Sequence, residues 1–121
     1  MDLQDKLQVQ VKVVIMTSND KDAPSFGKGA AQLLRGVDEL GSLNKAAKRL
    51  QMAYSKAWKM ISRLEESLGF ALLERHGSAG SIVTDKGHDM LRRYDELDAR
   101  ISSFAIGEFD EIVAGPWAER K

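Results

Sequence analysis

Apolar and interrupting positions alternate at the start of the chain: Leu7, Val9, Val11, Val13 and Ile15 are separated by Gln8, Gln10, Lys12, Val14 and Met16. Successive strand side chains point to opposite faces, so this period of two predicts a half-buried strand over residues 6–17. Ser18-Asn19-Asp20-Lys21-Asp22-Ala23-Pro24 is polar and rich in turn formers, which predicts a surface connection. The spacing then changes to three and four at Ala30, Leu33, Leu34, Val37 and Leu40. That is one apolar helical face, predicting a helix over 28–40 that starts near Ser25 to Lys28 and ends at Gly41, a natural C′ residue.

A second helix follows if the Ser42 hydroxyl accepts a backbone N–H, with Leu43, Ala46, Ala47 and Leu50 as its apolar side. The small Ala46 and Ala47 let another helix cross closely. Gln51-Met52-Ala53 reads as a turn, and Ser55 as the cap of a third helix over 55–68 that closes at Leu68-Gly69. With steps of roughly 100° from Ala57, residues Met60, Ile61, Leu64 and Leu68 cluster about zero, while Ser55, Lys56, Lys59, Ser62 and Arg63 fall at about 140° to 260°. The apolar stripe is expected to face the core and the hydroxyls and cations to face outward. Tyr54 and Trp58 fall at about 60° and 100°, flanking the stripe.

Phe70 to Arg75 and Ser81 to Thr84 are short strand candidates on either side of His76-Gly77-Ser78-Ala79-Gly80, predicting a hairpin over 70–84. Thr84 caps a long helix over 85–104, and Asp85 suits its positive dipole end. Leu91, Tyr94, Leu97, Ile101 and Phe104 make a seam for another helix, from the same domain or from a second copy. Residues 105–121, with Gly107, Gly115 and Pro116, read as a loosely packed tail. The expected architecture is mainly α with a small β component: a winged helix-turn-helix (helix-turn-helix 42–68, hairpin wing 70–84) with an N-terminal strand and a long C-terminal helix, one domain over 1–104.

A length of 121 residues fits one domain with a core. The absence of cysteine excludes disulfides and thiolate metal sites. No run approaches the roughly 18 apolar residues of a membrane span, and the polar N-terminus is unlike a signal peptide, so a cytoplasmic protein without membrane association is expected. The charges, 18 basic against 18 acidic, balance overall. They are unevenly placed: Lys45, Lys48, Arg49, Lys56, Lys59 and Arg63 all precede the first acid of the helix-turn-helix, Glu65. From Asp85 onward nine acids outnumber six bases. A local basic patch is what a phosphate-binding surface requires.

A duplex reader needs a helix that projects into the major groove, donors near its N-terminal half, and a crossing helix to hold it. Lys56 and Lys59 could donate to guanine O6/N7 or to phosphate, Ser55 to either, and Arg63 to backbone farther along. Lys45 and Lys48 sit where the crossing helix would meet phosphates. Trp58 either packs half-buried beside the core or touches a thymine methyl group. Arg75, His76, Ser78 and Ser81 in the wing could reach phosphate or a minor groove, or form a solvated hairpin tip. Gly27-Lys28-Gly29 lacks the first glycine of a phosphate loop, and Ala30 replaces its Ser or Thr. His76 and His88 lack partners at metal-ligand spacing, and Gly77-Ser78-Ala79-Gly80 is not a nucleophile elbow. No catalytic residue, metal or cofactor is expected.

The run Phe26-Gly27-Lys28-Gly29, Gly41-Ser42-Leu43-x-x-Ala46-Ala47, Met52-Ala53-Tyr54-Ser55-x-Ala57-Trp58 and Thr84-x-x-Gly87 resembles the DNA-binding domain of ModE-type molybdate-responsive regulators, over Phe26 to Leu97. The frame Gly-Ser, Ala-Ala, Leu64-Glu65, Leu68-Gly69, Leu73-x-Arg75, Thr84-x-x-Gly87 is similar to the LysR-type winged helix as well. Both resemblances imply a homodimeric winged helix-turn-helix that binds double-stranded DNA; the apolar seam makes helix 85–104, alone or with helix 28–40, the expected pairing surface. Gln51 stands where such turns usually carry glycine. ModE-type regulators also carry a C-terminal oxyanion-binding domain; the expectation here is a chain without one, to which molybdate sensing does not transfer. The competing expectation is a winged-helix protein-interaction module without DNA readout.

Overall fold

The computed structural model describes residues 3–118. In chain order these form α1 (Leu3–Lys6), β1 (Ile15–Met16), β2 (Ser25–Phe26), α2 (Lys28–Leu40), α3 (Leu43–Arg49), α4 (Tyr54–Leu68), β3 (Leu73–Arg75), a 3-10 turn (Gly77–Ala79), β4 (Ser81–Val83) and α5 (Asp85–Ile112). Two antiparallel ladders frame the helices, β1 with β2 and β3 with β4. None of the described helices is long and apolar enough to cross a membrane.

The predicted strand over 6–17 is corrected: only Ile15 and Met16 pair, opposite Phe26 and Ser25, and Lys6 ends a single helical turn. The alternation survives, with Val11, Val13 and Ile15 half-buried and Lys12, Val14 and Met16 exposed. A period of two orients side chains, but a ladder also needs a neighbouring strand, and among the described residues the arm meets one only at Ser25 and Phe26.

Helix α2 starts at Lys28 behind Gly27, where a Cβ would stand 2.8 Å from a Val14 methyl. It ends at Gly41, whose φ of 73° lets its N–H return to the Val37 carbonyl at 2.7 Å. The Ser42 side chain then accepts from Lys45 N at 3.2 Å and caps α3 as expected. The turn into α4 takes a left-handed residue at Gln51, φ 56°, where glycine would be free of Cβ strain. Ser55 does not cap α4: that helix begins one residue earlier, behind Ala53, without a side-chain cap, which places Ser55 inside the first turn.

Phe26, Leu33, Leu34, Ile61, Leu64 and Leu72 are fully buried at the junction of α2, α3, α4 and the hairpin. Each such side chain contributes roughly 1.5–3 kcal/mol by leaving water. Tyr94 brings α5 onto this core, its ring edge-on to Phe26 at 5.4 Å, and burial raises the pKa of its phenol. Gly36 allows α2 and α3 to cross closely, because a Cβ there would lie 2.7 Å from Ala46 Cβ on α3.

The hairpin ladder is shorter than predicted, since Phe70, Ala71 and Leu72 lie outside it. The long helix is longer: α5 runs to Ile112, so the first eight residues assigned to the tail are helical. Gly107 meets nothing within 4 Å and costs about 1 kcal/mol of helix propensity, too little to end a helix between good helix formers. Past the helix end, Trp117 Nε1 donates to the Val113 carbonyl at 3.0 Å.

Gly36→Ala should gain about 1 kcal/mol of helix propensity but lose roughly 1–3 kcal/mol to overpacking against Ala46. Gly107→Ala, in open space, should stabilise by roughly 0.5–1 kcal/mol. Urea unfolding of the two variants checks this, and a stabilised Gly36→Ala would contradict the close crossing.

Candidate nucleic-acid interface

The wheel expected for α4 is present: Ala57, Ile61 and Leu64 are fully buried, while Ser55, Lys56, Lys59 and Arg63 are exposed on the other side. Lys45 and Lys48 are exposed on α3, whose Leu43, Ala46 and Ala47 are buried in the core. Among the described residues, Lys45, Lys48, Lys56 and Lys59 make no ion pair. Their positive field is therefore uncompensated at short range, at the N-terminal half of a helix held from behind by its apolar stripe.

Arg63 departs from its expected place in this set. Its Nη2 donates to the Asp22 carbonyl at 3.0 Å, tying the middle of α4 to the β1–β2 connection. Distance along the chain, 41 residues, hid this partner from a reading of local pattern.

The wing is fastened to α4 by Glu65, a role that neither the charge run nor the Leu64-Glu65 frame predicts. Its Oε2 accepts from Leu72 N at 2.7 Å and Leu73 N at 3.1 Å, and its Oε1 lies 3.9 Å from Arg75 Nη1. These bonds give acceptors to the backbone donors at the entry to β3, while the Leu72 carbonyl accepts from Thr84 N at 3.0 Å across the hairpin. The visible signal was position: Glu65 falls about 80° from Ala57 on the wheel, at the edge of the apolar stripe.

Arg75, so held, places its guanidinium 5.8 Å from the centre of the Trp58 ring, a cation–π arrangement. Trp58 is 46% exposed and Tyr54 47%, so each presents part of its ring to solvent beside the cations. The flank position expected for Trp58 holds, with the wing rather than the core as its polar neighbour. His76 lies 3.5 Å from Glu74, and Ser78 is exposed in the 3-10 turn at the hairpin tip. The other end of the wing docks where Ser81 N donates to the Gly41 carbonyl at 2.9 Å. Gly80 is required there, since its φ is 99° and a Cβ would sit 2.2 Å from that oxygen. A recess of about 470 Å³ remains between wing and helices, lined by Ser42, Asn44, Tyr54, Arg75 and Ser81.

A cationic helix held by a short crossing helix and flanked by a β-hairpin defines a winged helix-turn-helix. Residues 29–88 match the family described as bacterial regulatory helix-turn-helix protein, lysR family. The chain carries a helix-turn-helix domain of the lysR family.

Among relatives, it is 48% identical to the HTH-type transcriptional regulator GbpR of Azospirillum brasilense over 90 residues, 69% of this chain and 26% of that protein. It is 26% identical to transcriptional regulator ModE of Haemophilus influenzae over 89 residues, 70% of this chain and 35% of that protein. The chain thus spans only 26% and 35% of the length of these curated relatives. Among solved structures, the complex of the BenM DBD with catB site 1 DNA is similar at a TM-score of 0.56 and 28% identity, covering 72% of this chain and 94% of that one. The CbnR DBD–DNA complex gives 0.52 and 32%, covering 62% and 88%.

Glu65→Ala should leave the Leu72 and Leu73 amides without their acceptor, at a cost of about 1–3 kcal/mol. Hydrogen exchange at those two amides should accelerate, and by less in Glu65→Gln, which keeps an acceptor oxygen. Unchanged exchange in the alanine variant would show that Glu65 does not fasten the wing.

Proposed function

We propose that the protein is a sequence-specific double-stranded DNA-binding transcription regulator that acts as a homodimer, with α4 entering the major groove. The observation that carries this reading is the unpaired cationic face at the N-terminal half of α4. The BenM and CbnR complexes with DNA support it, because this chain matches those domains over most of their length.

In this reading Lys56 and Lys59 donate to guanine O6/N7 or to phosphate, and Ser55 to either. Lys45 and Lys48 meet phosphates beside the groove. Arg75, His76 and Ser78 bring the wing to the adjacent backbone or minor groove, and Arg63 serves by holding α4 to the β1–β2 connection. The exposed apolar positions Leu97, Ile101 and Phe104 of α5 are the surface through which two copies pair, with α2 beside them. A two-fold dimer sets half-sites about 10 base pairs apart, or a multiple of that, on an inverted repeat.

Titration of a genomic-fragment pool at two salt concentrations tests the proposal, with affinity expected to fall steeply as salt rises. The Lys56→Ala/Lys59→Ala double variant should fold normally, lose most of its DNA affinity and show a salt slope smaller by about 2, near 0.9 per lost phosphate contact. If the wild type fails to bind at low salt, or the double variant binds as the wild type does, the protein-interaction reading replaces DNA readout.

A further inference from the structure

The N-terminal arm is the part of the fold without a partner of its own. Among the described residues, no backbone hydrogen bond reaches residues 8–13, although they are extended and keep strand alternation. An extended segment without a ladder partner is a template for another strand. The apolar face of the arm also continues past its cover: Val11, Val13 and Ile15 are half-buried, whereas Leu7 and Val9 are 37% and 36% exposed. A groove of about 810 Å³ separates residues 9–14 from α2 and α5.

We propose that residues 7–13 of two copies of this chain pair as antiparallel strands across a two-fold axis centred on Gln10. This deepens the homodimer proposed above and rests on it. The occupant follows from the sequence of the arm. A two-fold axis perpendicular to the sheet keeps each face on its own side, so residues of equal parity stand opposite one another. Centring on Gln10 sets Leu7 against the partner's Val13 and Val9 against the partner's Val11. Gln8 then faces the partner's Lys12, so apolar meets apolar and polar meets polar.

The neighbouring registers are worse. Centring on Val9 opposes Lys6 to the partner's Lys12, and like charges directly opposite destabilise a ladder. Centring on Val11 sets Gln8 against the partner's Val14 and runs the pairing into the β1 hairpin.

The chain contains no cysteine, so a single one reports pairing without background. In the proposed register Gln10→Cys faces itself, with Cβ atoms about 4.5–5.5 Å apart, close to the roughly 3.5–4.5 Å of a disulfide. Gln10, Gln8 and Asn19 are all exposed, so their cysteine variants should fold. Under mild oxidation, Gln10→Cys should form covalent dimers roughly tenfold or more faster than Gln8→Cys or Asn19→Cys, because paired thiols share a high effective concentration. Light scattering on the wild type reads the dimer separately. A wild-type dimer without preferential crosslinking at Gln10 overturns the arm pairing and leaves the α5 dimer standing; a monomeric wild type overturns both.

Discussion

Gly36 and Ala46 meet where α2 crosses α3, and the lack of side-chain bulk on the Gly36 side lets the two backbones approach more closely than any other residue would allow. Three things depend on that approach. Gly41 and Ser42, which join the two helices, are held in a turn tight enough that Gly41 N reaches Val37 O and Ser42 caps the next element. The buried Ala46 and Ala47 then join Ala57 and Ile61 of α4 in one core. The Gly41 carbonyl, left free by the helix end, receives Ser81 N and fixes one end of the wing. Orphan helix-terminal carbonyls need partners, and here the partner is the element that flanks the candidate interface.

A zero formal charge is compatible with a strongly positive local surface because the acids are committed elsewhere. Arg35 pairs with Asp95, Arg49 with Glu39, and Arg92 and Arg93 with Asp89, whose carboxyl they hold below its ordinary range. His88 lies 2.7 Å from Asp38, between the start of α5 and the end of α2. Exposed pairs of this kind add little stability, but they neutralise charge where it stands. The four lysines on α3 and α4 receive no such neutralisation among the described residues, and position rather than total charge defines the surface.

Two apolar features remain outside the core, the arm at Leu7 and Val9 and the distal face of α5 at Leu97, Ile101 and Phe104, the last 67% exposed. Single exposed aliphatics are ordinary on protein surfaces, but apolar positions spaced three and four apart along a helix form a continuous stripe. Both features lie beside the groove lined by Tyr94, Asp98 and Ile106, on residues other than those of the cationic α4 face. Pairing of subunits and contact with a duplex thus draw on separate elements, α5 with the arm for one, α4 with the wing for the other.

Periodicity and caps carried much of the architecture. The helix through Leu33, Leu34 and Val37, the Ser42 and Thr84 caps, the division of α4 into an apolar stripe and a cationic face, and the hairpin at His76 to Gly80 are local consequences of residue spacing, so they were legible in the chain itself. Pairing and reach were not local. Whether the alternating arm became a sheet depended on a partner strand, which among the described residues stands only opposite Ile15 and Met16, and whether α5 stopped at Phe104 depended on how little Gly107 costs. The same holds for Arg63, Glu65 and Trp58: the wheel placed their side chains around α4, but Asp22, the Leu72 and Leu73 amides and Arg75 reach them only after the chain has folded back. Sequence determined which faces exist and what chemistry they carry; tertiary structure decided which charges remained unpaired, because that depends on neighbours brought from far along the chain.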